Sequence, residues 1–248
     1  MEAKERIIVA LDVNTSDDAL LLVDQLRPHV GYFKIGLQFI TSMVTSLANA
    51  TVGTESAIGR RIRYFFEMTK EQIFWDGKFD DIPNTVAGAS EEVAKIGVRM
   101  FNLHASAGSE AIAKAVENRG DSLVLGVTVL TSISDECISI FGDKPGNKVV
   151  QFAQMLSDQK ADGIICSAKE LPLLSGTSLL KVTPGIRPKW AQANDQKRVM
   201  TPYEAIMAGA DYLVIGRPII KPPEPFIPVT AAQDIAKEIE KALQEKGN

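Results

Sequence analysis

Short apolar runs rich in Val, Ile and Leu alternate along this chain with stretches whose apolar residues return every three or four positions. The runs read as strands and the stretches as helices. Strands are predicted at Arg6–Asp12, Tyr32–Gly36, Gln72–Lys78, Met100–His104, Ser122–Val129, Gly163–Cys166, Leu180–Thr183 and Tyr212–Gly216. Ile7-Ile8-Val9-Ala10-Leu11 and Leu123-Val124-Leu125-Gly126-Val127 have no polar face, as expected of strands covered on both sides. Helices are predicted at Asp17–Leu26, within Leu37–Ala48, and at Arg60–Lys70, Asn84–Ile96, Ser109–Asn118, Asn147–Ser157, Ala168–Leu174, Pro202–Ala208 and Thr230–Gln244. Thr15 or Ser16 can cap the first of these, with Asp17 and Asp18 at its positive end. Gly97 suits the end of the helix that follows Pro83. The small, polar stretch Asn49–Gly59 reads as a loop.

Eight strands separated by helices imply a parallel sheet of the α/β class, and right-handed crossovers close it into a (β/α)8 TIM barrel. An open doubly wound sheet is the alternative. Its dinucleotide-binding form needs Gly-x-Gly-x-x-Gly after the first strand, and none stands there. No linker or short repeat interrupts the pattern, so residues 1–248 are predicted to form a single barrel domain.

Composition narrows the function. With 45% hydrophobic residues, 23% charged residues and a net charge of −4, the chain suits one domain with a large core and offers no basic surface for nucleic acid. No apolar run approaches the roughly 18–20 residues that span a membrane. The charged start, Met1 to Arg6, shows no signal peptide. Cys137, Cys166, His29 and His104 have no metal-ligand spacing, so no metal site is expected. Two free thiols suit the reducing cytoplasm.

In such a barrel, chemistry gathers at the carboxyl ends of the strands. Those ends carry Asp12, Lys34, Asp76 with Lys78, His104, Thr128 to Ser132, Cys166-Ser167, Gly185-Ile186-Arg187 and Gly216-Arg217. The third is the densest. In Phe74-Trp75-Asp76-Gly77-Lys78-Phe79-Asp80-Asp81-Ile82-Pro83-Asn84-Thr85, the alternation of a strand points Phe74, Asp76 and Lys78 one way and Ile73, Trp75 and Gly77 the other. A charged surface turn is the common alternative, with ion pairs worth roughly 0–1 kcal/mol. It fits poorly, because Asp76 and Lys78 fall inside the strand pattern, where unpaired charge is costly. After the last two strands, Gly185 and Gly216 allow close backbone approach, and Arg187 and Arg217 offer forked donors suited to phosphate. His104 reads as a hydrogen-bonded rim residue, Cys166 as inert packing, and Trp75 and Phe101 as core.

These segments, in this order, resemble the orotidine 5′-phosphate decarboxylase family, and most closely its bacterial-type branch. The resemblance rests on Ala10-Leu11-Asp12-Val13, Lys34-Ile35-Gly36, Asp76 to Thr85, His104-Ala105, Leu130-Thr131-Ser132, Thr183 to Pro188, Asp195-Gln196-Lys197-Arg198 and Ile215-Gly216-Arg217-Pro218. Asp-x-Lys-x-x-Asp-Ile-Pro-Asn-Thr is its most specific element. The resemblance implies decarboxylation of orotidine 5′-phosphate to UMP without metal or cofactor. Lys78 would give a proton to C6, Asp76 would lie beside the substrate carboxylate, and Asp81 would join the charge network from the partner in a homodimer. Ile82 would reach the partner's site with it. Asp12 and Lys34 would bind ribose hydroxyls, Thr131 the pyrimidine ring, and Arg187, Gln196, Gly216 and Arg217 the phosphate region. Thr85 would join the substrate-binding set, and a loop at Gln192–Arg198 would close over the phosphate. Two departures stand out: Gly77 replaces a bulkier residue common there, and Asn49–Lys70 is longer than usual.

Overall fold

The computed structural model describes residues 1–51, 55–130, 133, 142–191 and 200–247. Its strands are β1 (Ile7–Ala10), β2 (Tyr32–Gly36), β3 (Ile73–Phe79), β4 (Met100–His104), β5 (Leu123–Val127), β6 (Gly163–Ile165), β7 (Leu180–Pro184) and β8 (Tyr212–Ile215). They close in sequence order into a barrel, every pair parallel, with β8 returning to β1 through Ile8 opposite Val214.

The strands are lined on both faces, as their unbroken apolar runs require. Ile8, Ala10, Phe74, Met100, Leu125, Val182, Tyr212 and Val214 fill the interior. Ile7, Val9, Leu11, Phe33, Ile35, Phe101 and Leu103 face outward into the layer shared with the helices. Each such side chain stabilises the fold by about 1.5–3 kcal/mol when fully buried. The two linings therefore leave the interior a packed plug beneath a polar mouth.

The helices are α1 (Ser16–Leu26), α2 (Leu37–Ala48), α3 (Glu55–Thr69), α4 (Pro83–Ile96), α5 (Ser109–Glu117), α6 (Pro145–Asp158), α7 (Pro202–Met207), α8 (Arg217–Ile220) and α9 (Pro228–Lys246). Thr15 caps α1, its hydroxyl accepting the Asp18 N–H at 3.1 Å. Gly97 closes α4 in the left-handed conformation, φ +81°. Element ends shift from the sequence reading by a residue or two, with two larger differences. α3 begins at Glu55, inside the stretch read as a loop, because helix continues through Gly59. Ala168–Leu174 is a 3-10 segment, not an α-helix; Pro172 within it lacks the N–H that an α-helical turn needs.

Candidate active site

Four charges of alternating sign line up where β1, β2 and β3 end. Lys34 Nζ stands 3.6 Å from Asp12 Oδ1 and 3.0 Å from Asp76 Oδ2. Asp76 Oδ1 in turn accepts from Lys78 Nζ at 2.6 Å. Gly36 makes room for this arrangement: a Cβ there would lie 3.0 Å from Lys34 Nζ.

The backbone of β3 is bent to present these groups. Trp75 pairs with Phe101 and Phe79 with Leu103, so β3 spends four steps where β4 takes two. Such a bulge re-aims side chains near active sites. Lys78, inside it, has φ +48°, a conformation that costs an L-residue free energy. Gly77 faces outward, and the room left by its missing Cβ is taken by the indole of Trp75, whose Nε1 lies 2.6 Å from where that Cβ would be.

One participant escaped the sequence reading. Asn102, in the middle of β4 and fully buried, donates from Nδ2 to Asp76 Oδ1 at 2.7 Å and accepts the Lys78 N–H on Oδ1 at 2.7 Å. Its signal was a lone amide between Met100 and His104 on the interior-facing positions of an otherwise apolar strand.

Burial pushes the Asp76 carboxyl up, but the Lys34 and Lys78 ammoniums and the hydrogen bonds from Lys78 and Asn102 outweigh it and hold the group below its ordinary value. His104 is lowered, chiefly by burial and further by Lys78, against the pull of Asp80 and Asp76. Burial drives the Cys166 thiol up to about 12, which keeps it protonated rather than as the reactive thiolate. Among the described residues no group of three or more His, Cys, Asp or Glu side chains is placed to share a metal ion.

Lys34, Asp76 and Lys78 form one polar side of a cavity of about 200 Å3; Phe74, Val127, Ile165 and Val214 are among its apolar walls. This cavity joins apolar walls to a row of fixed charges. Gly216 comes against the first strand and the acid beyond it, since a Cβ on it would lie 3.5 Å from both Ala10 Cβ and Asp12 Oδ2. Arg217 follows at the start of α8 and is exposed. Arg187, beyond β7, is buried, and its Nη1 donates to the Ile186 carbonyl at 3.2 Å. Asp81 stays outside the charge row: it is exposed, and its Oδ1 accepts the Ile82 N–H at 2.7 Å. Ile82 is 67% exposed, and Thr85 is exposed in the first turn of α4. Thr131, Gln196 and the Gln192–Arg198 loop lie outside the described residues.

The chain matches the family model described as "Orotidine 5'-phosphate decarboxylase / HUMPS family" over residues 5–235. It is 43% identical over 250 residues to the orotidine 5′-phosphate decarboxylase of Geotalea daltonii, covering 96% of this chain and 97% of that one. With the enzyme of that name from Syntrophomonas wolfei it shares 40% identity over 256 residues, covering 97% and 100%. The solved structure of the orotidine 5′-phosphate decarboxylase from Lactobacillus acidophilus superposes with a TM-score of 0.74 at 31% identity, covering 94% of this chain and 98% of that one.

Proposed function

This chain belongs to the orotidine 5′-phosphate decarboxylase / HUMPS family, and on that footing we propose that it releases carbon dioxide from orotidine 5′-phosphate to give UMP, a step of pyrimidine biosynthesis. The observation that carries the reading is the row Asp12, Lys34, Asp76, Lys78 set against an apolar cavity.

The chemistry needs such a row. When the bond from C6 to the carboxylate breaks, its electron pair stays on C6 in the plane of the ring, where the π-system cannot take it up. A fixed ammonium beside C6 stabilises that charge in the transition state. Lys78 Nζ then transfers a proton to C6, and the resulting amine is reprotonated from solvent. Asp76, held negative between two ammoniums, sits beside the departing carboxylate and keeps Lys78 in place. The apolar wall of Val127 and Ile165 suits carbon dioxide, which leaves without charge.

Remote groups make the reacting geometry. Asp12 and Lys34 take ribose hydroxyls, Thr131 the ring, and Arg187, Gln196, Gly216 and Arg217 the phosphate, with Thr85 in the binding set. Binding energy gathered at the phosphate lowers the barrier at the distant reacting carbon. Asp81 and Ile82 serve the site of a second copy in a homodimer. Their exposure supports this.

The test is carbon dioxide release from orotidine 5′-phosphate in excess EDTA, with wild type and Lys78→Ala side by side. Turnover by wild type, none by the variant, and retained UMP binding by both are expected. Wild-type protein that binds UMP yet releases no carbon dioxide would overturn the reading.

A further inference from the structure

Asn102 touches two parts of the site that must move together. Its amide nitrogen holds the carboxylate of Asp76, and its amide oxygen holds the backbone N–H of Lys78. Turning the amide over would set oxygen against carboxylate oxygen and N–H against N–H, so only one orientation serves both partners. The side chain is wholly buried on β4, a strand paired along its whole length with β5, and so is a rigid reference. Lys78, by contrast, sits in a bulge at positive φ, where the strand ladder does not fix it.

We propose that Asn102 is a positioning residue for the decarboxylation: one buried amide sets both the strained backbone of Lys78 and the carboxylate that its ammonium engages. This rests on the proposed activity and adds a residue to it. Asn102 is one side chain removed from the reacting atoms. Its two partners are the backbone of the residue that gives the proton and the carboxylate that holds that residue's ammonium. Without it, Asp76 loses one donor on the oxygen shared with Lys78, and the bulge loses its tether. The ammonium would then sample positions away from C6.

Asn102→Asp separates the two contacts. It keeps an acceptor for the Lys78 N–H but sets a second carboxylate against Asp76 Oδ1. The titratable groups about the site are Asp12 just past β1, Lys34 from β2, Lys78 from β3, Asp80 beyond it and His104 from β4, with Cys166 just past β6 neutral. Two carboxylates this close share a proton more readily than either alone. We expect kcat to fall about 100-fold near neutral pH, UMP affinity to stay within a few-fold of wild type, and kcat to recover in part between about pH 8 and pH 5 as the pair takes up a proton. The wild type should show no such recovery. Should this variant not fold, Asn102→Ser carries the test on kcat against UMP binding, since its short side chain cannot span both partners. Unchanged kcat in either variant overturns the proposal, as does a loss in Asn102→Asp that is equal at every pH and matched by loss of UMP binding. Failure of the activity itself is distinguished by the wild type run alongside, which would then release no carbon dioxide.

Discussion

Two opposing forces act on the carboxyl of Asp76. Burial favours the neutral acid, while Lys34, Lys78 and Asn102 favour the anion and win. A carboxyl lowered by folding contributes stability that is complete above its unfolded value of about 3.9 and is lost as pH falls through the lower folded value. Unfolding of wild type and Asp76→Asn by urea, followed from pH 7 down to about pH 3, should show their difference in stability shrinking below about pH 4. A constant difference would mean that the charge of Asp76 is not what the fold uses. Asp12, Lys34, Asp76 and Lys78 were legible in the sequence because each is a charged residue set in or just past an apolar run. Asn102 was not, because it is an uncharged amide in a short apolar strand, and the reading followed the charged residues. Asp81 was legible by its place in the motif, and its own chain leaves it exposed, with only the Ile82 N–H on its Oδ1.

At the scale of elements, strands declared themselves most clearly. Two covered faces leave a strand little choice but an unbroken apolar run, and all eight predicted strands are present. Helices were legible where caps marked them, as at Thr15 and Gly97. The start of α3 was missed because Gly59 looks like the end of a loop. It is an intrahelical glycine with open space around the position of a Cβ. Gly59→Ala should therefore raise the free energy of unfolding by about 0.5–1 kcal/mol, read by urea denaturation. A neutral or negative result would argue against helix at that point. Gly126 is the opposite case. A Cβ there would lie 2.1 Å from Leu156 Cδ2, so β5 and α6 meet only because the side chain is absent. Gly126→Ala should cost about 1–3 kcal/mol by overpacking, seen as a lower Tm.

For the whole molecule, the closed barrel brings the ends of distant segments to one mouth, so residues 12 and 216 become neighbours. The alternation of strands and helices sufficed to predict this closure, since right-handed crossovers leave few other arrangements. One chain's mouth still lacks the third acid of its central motif. If Asp81 acts across a homodimer, mixing inactive Lys78→Ala with inactive Asp81→Ala under subunit exchange should restore about a quarter of wild-type turnover, because half the dimers then carry one intact site. No recovery despite proven exchange would place Asp81 in its own chain's site. In the described residues no helix is long and apolar enough to cross a membrane. The two spare residues of β3 have a last consequence. Pairing with the neighbouring strand resumes at Phe79, so the side chains at 76 and 78 stand outside that ladder and can be rewritten without unzipping it. A lineage that needed a different reaction could change its chemistry there and inherit the rest of the scaffold unaltered.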